Sequence, residues 1–131
     1  MTEGVAVPPA ILELTREVDQ ARVDRYAVAA RDPNPIHRET PEAYAGPFGR
    51  PAAHGMLVLG IVSDLMTRGF GQAWAETGGI KVRWRSPALT PVVVTVRAEL
   101  KKHVEGTVTY DIVATEAGGE TLLTGTATVR I

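Results

Sequence analysis

Apolar and polar residues alternate one by one from residue 79 onward, and a period of two predicts β-strands. Ile80, Val82 and Trp84 alternate with charged residues, and the same pattern recurs in three later segments, residues 92–100, 108–114 and 123–131. Prolines or glycine-containing turns separate these segments. Four half-buried strands of this kind predict an antiparallel sheet with one apolar face and one face in water.

The first third of the chain predicts one more strand and two helices. Prolines at positions 8 and 9 end a loose N-terminal tail, and apolar residues at 11, 12 and 14 predict a short strand to about Val18. Asp19 is a good N-cap for an amphipathic helix over residues 19–30, which the prolines at 33 and 35 prevent from continuing. Thr40 and Pro41 begin a shorter helix that runs through Tyr44.

A continuous segment, residues 53–66, has apolar side chains on every side of a helical wheel. A helix of this kind is predicted to lie inside a core rather than on a surface. The sheet needs a partner to bury its apolar face, and this helix supplies one. The predicted fold class is therefore α+β, a curved antiparallel sheet of about five strands wrapped around one long central helix, in a single domain over residues 1–131. The open sheet edge would be safest paired with a second copy, so we expect a homodimer.

The amino-acid composition excludes several classes of function but adds little to the predicted fold. The 131 residues carry 14 basic and 15 acidic side chains, a net charge of −1, which offers no broad field for a nucleic acid or an anionic membrane. The chain has no cysteine, which excludes disulfides, thiolate nucleophiles, cysteine-ligated zinc and iron–sulfur clusters. The N-terminus lacks the features of a secretory signal, and the longest apolar run, residues 56–62, is too short to span a bilayer. We therefore expect a cytoplasmic protein.

Asp32 and His37 are the first candidates for chemistry, because a carboxylate and an imidazole together handle protons near neutral pH. Pro33 and Pro35 lie between them and forbid a helix. On a straight strand, five residues would place the two side chains about 17 Å apart and on opposite faces. Only a compact turn brings them together, and the Asn34 side chain can brace such a turn. The alternative is an ordinary Asx turn with His37 in water.

His54 and Gly55 form the second candidate segment, at the start of the predicted central helix. A helix N-terminus offers unpaired backbone N–H groups and positive potential, and glycine lets a ligand approach the backbone. The N-terminus of this helix therefore suits an oxyanion, such as the one that forms on a thioester carbonyl when its β-carbon is attacked. The alternative is that Gly55 only permits tight packing and His54 only caps the helix.

Together the two segments resemble the MaoC-like family of (R)-specific enoyl-thioester hydratases and dehydratases. The resemblance is carried by DPNPIH at residues 32–37 and by RPAAHGML at residues 50–57. The fold that it implies is the hotdog, a curved sheet around one long helix, usually paired into dimers. The activity that it implies is reversible addition of water to a trans-2-enoyl thioester, giving an (R)-3-hydroxyacyl thioester carried by coenzyme A or an acyl carrier protein. It implies no cofactor and no metal ion.

The resemblance also implies roles for five residues. Asp32 and His37 match the catalytic pair that holds and activates a water molecule. Asn34 matches the asparagine that shapes the turn, and Gly55 matches the residue whose N–H binds the thioester carbonyl. Ser63, two helical turns further on, matches a serine that supports the pair.

The residues around the substrate are less well defined by the sequence. The acyl group is predicted to lie beside the central helix, lined by Ala29, Leu59 and Val62 or their neighbours. Four basic residues are candidates for the carrier phosphates, although most of them are expected to lie on a solvated strand face: Arg50, Lys81, Arg83 and Arg85. Many family members have Ser-Gly or Ser-Glu before the aspartate, whereas residues 30–31 here are Ala-Arg, a departure that bears on substrate preference.

Three other functions fit parts of the sequence. A thioesterase would use the same fold, but the intact Asp32–His37 turn argues against it. A non-catalytic acyl-binding subunit of a heteromeric dehydratase would be expected to lose one of these two residues, and this chain keeps both. A metal site built from Asp32, His37 and His54 is the third alternative, but nothing in the sequence marks the outer residues that would orient the ligands.

Overall fold

The computed structural model describes residues 7–131, so residues 1–6 of the predicted N-terminal tail lie outside the described residues. Five strands form one sheet: β1 (Ile11–Val18), β2 (Gly79–Trp84), β3 (Val92–Val104), β4 (Thr107–Glu116) and β5 (Thr121–Arg130). The helices are α1 (Gln20–Ala30), α2 (Pro41–Ala45), α3 (Gly55–Phe70) and α4 (Gln72–Thr77), and a 3₁₀ turn covers Pro35–His37. The five predicted strands and the three predicted helices are present, and α4 is a helix that the sequence pattern did not predict.

The strand order in the sheet is β1-β3-β4-β5-β2, which differs from the order along the chain. β3, β4 and β5 pair antiparallel in chain order. β1 pairs antiparallel with β3, from Ile11 opposite Glu99 to Val18 opposite Val92. β2 pairs antiparallel with β5 and forms the other edge of the sheet. The helices therefore lie in the connection that carries the chain from one edge of the sheet to the opposite edge.

α3 packs on the apolar face of the sheet and forms the centre of the hydrophobic core. Five of its side chains are buried: Val58, Ile61, Val62, Leu65 and Met66. The facing strands contribute buried residues that include Val94, Val96, Tyr110, Ile112 and Leu123. Burying each side chain of this size stabilises the fold by about 1.5–3 kcal/mol. The architecture predicted from the sequence, a curved antiparallel sheet around one long helix, is confirmed.

One side of α3 is nonetheless open to solvent. Met56 is 59% exposed, and Gly60 and Thr67 are exposed as well, because the sheet covers only one side of the helix. α3 also continues four residues past the predicted end, to Phe70, and ends at Gly71. Within residues 7–131, no helix is both long enough and apolar enough to cross a membrane.

α1 ends where the candidate site begins. The Asp19 carboxylate caps the helix by accepting a hydrogen bond from the Arg22 N–H at 2.8 Å, as the sequence predicted. At the other end, Arg31 adopts a left-handed conformation with φ of 55°, and its N–H closes the last turn on Ala27 and Val28. The chain then leaves the helical direction and enters the proline-containing segment, residues 32–37.

Candidate active site

A braced turn at residues 32–37 positions the first candidate pair. The Asn34 side-chain oxygen accepts a hydrogen bond from the Ile36 N–H at 3.1 Å, and the His37 N–H donates to the Asn34 carbonyl at 3.1 Å. Asp32 Oδ1 accepts from the Asn34 N–H at 3.4 Å, which leaves Oδ2 free to face the histidines. Asn34 therefore closes the turn with its own side chain, and the two prolines stiffen it.

His37 is held both by its ring and by its backbone. Its Nδ1–H donates to the Ala52 carbonyl at 2.7 Å, and because a carbonyl oxygen only accepts, the neutral ring has its lone pair on Nε2. Its own carbonyl accepts from Gln20 Nε2 at 2.7 Å, and Gln20 Oε1 accepts from Thr90 Oγ1 at 2.7 Å. Nothing in the local sequence pattern places Gln20, Ala52 or Thr90 beside His37, so these positioning contacts were not predicted.

The structure brings Asp32 and His37 together. Asp32 Oδ2 lies 3.9 Å from His37 Nε2, which is too far for a direct hydrogen bond but allows one water to reach both atoms. The ionised carboxylate and the Nε2 lone pair are both acceptors, so such a water donates its two protons to them and turns its own lone pairs outward. The His37 side chain is 13% exposed and that of Asp32 48%, so the pair lies at the border of the protein with solvent.

His54 packs directly against this pair. Its ring stacks on the His37 ring, with centroids 3.7 Å apart and an angle of 23° between the planes. His54 Nε2–H donates to the Asp32 backbone carbonyl at 3.3 Å, and Nε2 lies 3.8 Å from Asp32 Oδ2. His54 Nδ1 is buried and has no hydrogen-bond partner among the described residues. Burial lowers the pKa of His54, and the nearby His37 contributes to the lowering, whereas the hydrogen bond to Asp32 opposes it.

The lowered pKa of His54 predicts that acid destabilises the fold. The unfolded chain, in which the His54 pKa is near 6.5, binds this proton more readily than the folded chain. The contribution that neutral His54 makes to the free energy of unfolding is therefore fully present above pH 6.5. It is lost as the pH falls toward the lower pKa that His54 has in the folded protein. We expect the free energy of unfolding in urea to fall between about pH 7.5 and about pH 5.5, and to fall less in His54→Gln. An equal fall in the wild type and in His54→Gln would contradict the lowered pKa of His54, because the other titratable groups of the two proteins are the same.

Gly55 is the first residue of α3, and its N–H has no acceptor among the described residues. It lines the same cleft as His37, a space of about 320 Å³ whose other walls include Ile36, Phe48, Val58, Trp84 and Leu122. A side chain at position 55 would approach the Trp84 ring: a Cβ built there lies 3.3 Å from Cη2. His37 and Gly55, whose helix N-terminal amide is unpaired among the described residues, therefore line one largely apolar cleft.

The cleft lies beside α3, where the acyl group was predicted to lie, and it is lined by Val58, a neighbour of Leu59. The acyl group was expected beside Ala29, Leu59 and Val62, but Val62 is fully buried in the core and Ala29 lies on the exposed side of α1. None of the three lines the cleft that holds His37 and Gly55. Val62 does not reach the cleft because its side of α3 packs in the core against the sheet.

Two other sequence candidates make structural contacts. Ser63 Oγ accepts a hydrogen bond from Trp74 Nε1 at 3.0 Å, and no hydrogen bond joins it to Asp32 or His37 within residues 7–131. Arg50 donates through Nε and a terminal nitrogen to the Thr90 carbonyl, at 3.1 and 2.6 Å. The chain therefore brings Asp32, Asn34, His37 and Gly55 to one region, and directs Ser63 to α4 and Arg50 to the loop before β3.

Asp32, His37 and His54 each offer a ligand atom within 4.8 Å of the others. The ring lone pairs of stacked His37 and His54 lie in planes only 23° from parallel, whereas metal ligands converge on one point. Neutral His54 also uses Nε2 as a donor to the Asp32 carbonyl, which leaves its lone pair on the buried Nδ1. The three residues therefore fit a metal ion poorly.

Comparison with known proteins identifies the chain's relatives. A family model described as MaoC like domain matches residues 8–119. A protein named 3-hydroxybutyryl-CoA dehydratase from Methylorubrum extorquens strain AM1 is 26% identical over 119 residues, which cover 90% of this chain and 76% of the relative.

Solved structures share the whole fold. An (R)-hydratase from A. caviae, described as involved in PHA biosynthesis, has a TM-score of 0.83 at 24% identity and covers 99% of each chain. A chain of the ChsH1-ChsH2 complex from Mycobacterium tuberculosis has a TM-score of 0.83 at 22% identity, covering 97% of this chain and 99% of that one. At these identities the likeness establishes the fold, which is the hotdog that the sequence motifs implied.

Proposed function

The chain belongs to the MaoC-like domain family, and on that premise we propose that it is a hydro-lyase acting on acyl thioesters. The reaction is reversible addition of water to a trans-2-enoyl thioester, with an (R)-3-hydroxyacyl thioester as the product. The observation that carries the proposal is the pair of acceptors Asp32 Oδ2 and His37 Nε2, 3.9 Å apart, beside a cleft that also holds the Gly55 N–H. The (R) configuration is proposed from the family alone.

Asp32 and His37 are the proposed catalytic residues, and they act on one water. The water oxygen forms a bond to C3 of the enoyl group while the C2–C3 π electrons move toward the thioester carbonyl. One water proton passes to the pair, and C2 takes up a proton as the carbonyl double bond forms again. Each turnover thus adds one hydroxyl to C3 and one hydrogen to C2, and it returns the Asp32 and His37 side chains to their starting protonation. Holding the water in line with C3 supplies a large part of the rate.

Gly55 is the proposed binding group for the thioester carbonyl. Negative charge builds on this oxygen when C3 is attacked, and the N-terminal amide of α3 is a donor that needs no rearrangement to meet it. The absence of a side chain lets the carbonyl approach the amide, since even a methyl group would contact Trp84. Asn34 contributes by holding the turn closed.

The substrate is proposed to be a short acyl thioester on coenzyme A or an acyl carrier protein. The apolar cleft walls suit an acyl chain, and Arg85, an exposed cation just after β2, lines the cleft and is the candidate for the carrier phosphates. Lys81 and Arg83 alternate with Trp84 along β2 and therefore lie on the opposite face of the strand. The relative named for 3-hydroxybutyryl-CoA supports a four-carbon acyl group as the first to test. β2 is paired on one side only within the described residues, which supports a homodimer through a second copy.

The direct test mixes the purified chain with crotonyl-CoA, a four-carbon enoyl thioester, and follows loss of the conjugated thioester absorbance. We expect hydration to 3-hydroxybutyryl-CoA, an (R) product by chiral analysis, and a dimer by sedimentation of the same preparation. Butyryl-CoA, which has no double bond, is the matched control. Release of free thiol from it would indicate a thioesterase instead, and no reaction with enoyl thioesters of any length would support the non-catalytic subunit.

A further inference from the structure

We propose that His54 is a positioning residue, which holds the imidazole of His37 and the backbone of Asp32 in place and connects both to the Gly55 amide. The inference deepens the proposed function and rests on it for the catalytic roles of Asp32 and His37. It concerns a third side chain, His54, for which the sequence suggested only a helix cap or a metal ligand. The structure gives His54 no capping hydrogen bond at the start of α3.

The stack between the two imidazoles limits the orientation of His37. The hydrogen bond from Nδ1 to the Ala52 carbonyl anchors one atom of the ring but leaves it free to tilt about that bond. The His54 ring lies against its face at 3.7 Å between centroids and removes this freedom. His54 is only 3% exposed, and the Tyr26 ring lies 4.8 Å away on another side, so the supporting ring is itself held. Nε2 of His37 is thereby kept facing Asp32 Oδ2.

The hydrogen bond of His54 ties the acid–base turn to the central helix. Its Nε2–H donates to the Asp32 carbonyl, across 22 residues of sequence, and so attaches the start of the turn to α3. The next residue along the chain is Gly55, whose N–H is the proposed carbonyl donor. One side chain therefore sets the spacing between the group that activates water and the group that holds the thioester. In a hydration, misplacement of either relative to the other would lower the rate of the chemical step.

The buried Nδ1 of His54 indicates that this imidazole has a role beyond filling space in the core. The atom has no partner among the described residues, and leaving a polar atom buried and unpaired destabilises a fold. An apolar side chain of similar size would fill the same space without that penalty. What such a side chain would lack is the Nε2–H donor to Asp32. The titratable groups that face the ring are Asp32, His37 and Tyr26, and none of them reaches Nδ1.

Two variants of His54 test its ring stack on His37 and its hydrogen bond to Asp32 separately. His54→Phe keeps a ring against His37 but loses the donor to Asp32, whereas His54→Gln keeps a terminal N–H but loses the ring. His103→Gln, at an exposed histidine on β3, is the matched control. We expect both His54 variants to lower kcat for crotonyl-CoA by about 10- to 100-fold with a much smaller change in KM, and the control to match the wild type.

A measurement without substrate distinguishes positioning from stability. Nitrogen NMR of the imidazoles reports which nitrogen of His37 carries the proton. We expect the wild type to hold the Nδ1–H form of His37, and the His54→Gln protein to show a mixture of the Nδ1–H and Nε2–H forms.

The two measurements also separate this inference from the proposed function. Unchanged kcat and unchanged His37 signals in both His54 variants would overturn the inference, and so would a fall in kcat with unchanged His37 signals. Unfolding of both variants would overturn it as well, because it would assign His54 to the core alone. Altered His37 signals in the His54→Gln protein, together with a wild-type protein that hydrates no enoyl thioester, would support the positioning role and reject the proposed function.

Discussion

Asp32→Asn is expected to lower kcat for crotonyl-CoA hydration by about 10²–10⁴-fold, with the protein still folded. The amide carries no negative charge and replaces one acceptor with an N–H donor, so the water between residues 32 and 37 can no longer donate to both. The fold should tolerate the change because the Asp32 side chain is 48% exposed. Steady-state kinetics test the expected fall in kcat, and thermal melting of the same preparation tests whether the variant is folded.

His37→Asn is the companion variant. The asparagine Nδ2 takes the place of the ring Nδ1 and can still donate to the Ala52 carbonyl, whereas nothing replaces Nε2. Since both residues act on one water, we expect the double variant to lose little more than either single variant. Asp111→Asn is the control and should keep full activity, because Asp111 is an exposed carboxylate on β4 whose nearest cation is Lys101 Nζ at 3.8 Å. Near-wild-type turnover in either single variant, or fully additive losses, would contradict the shared-water assignment.

Gly55→Pro is expected to lower kcat by about 10²–10³-fold, the loss typical of removing one donor to a developing oxyanion. Proline has no N–H, yet the first position of a helix is where it is best tolerated. The preceding residue already has the backbone that proline demands, since His54 has φ of −61° and ψ of 137°. The protein should therefore fold, and circular dichroism with thermal melting checks that it does.

Gly55→Ala is the matched control for Gly55→Pro. Both add a Cβ that approaches Trp84 at 3.3 Å, a contact that the half-exposed indole can relieve by a small shift, but only the alanine variant keeps the N–H. We expect the alanine variant to lose much less activity than the proline variant. Equal activity in the two variants would show that the Gly55 amide takes no part in the reaction.

The elements of the fold followed from local patterns. The alternation at Val92, Val94 and Val96 defined a strand because successive side chains of a strand point to opposite faces. Asp19 marked the start of α1 through a hydrogen bond that depends only on nearby backbone. α4 and the last turn of α3 were missed because the glycines at 69 and 71 and the polar residues around them do not continue the apolar pattern.

The candidate site was predictable only where it is local in sequence. The turn at residues 32–37 could be inferred because two prolines and Asn34 restrict the backbone within six residues. The contacts of His37 with Gln20, Ala52 and His54 could not be inferred, because they join segments separated in the chain. Which side of α3 lines the cleft could not be inferred for the same reason. Val62 lies on an apolar helix, and only the packed sheet shows that this side of the helix is filled.

The sequence by itself determined which segments are strands and helices, where the proline-restricted turn lies, and which family the motifs resemble, because these depend on side-chain period and backbone restriction over a few residues. Only the tertiary structure decided that β2 lies at the edge beside β5, that α3 has an open side, and that His54 stacks on His37. Strand order, the exposure of a helix face and contacts between distant side chains depend on how segments far apart in the chain pack together. No single segment contains that information.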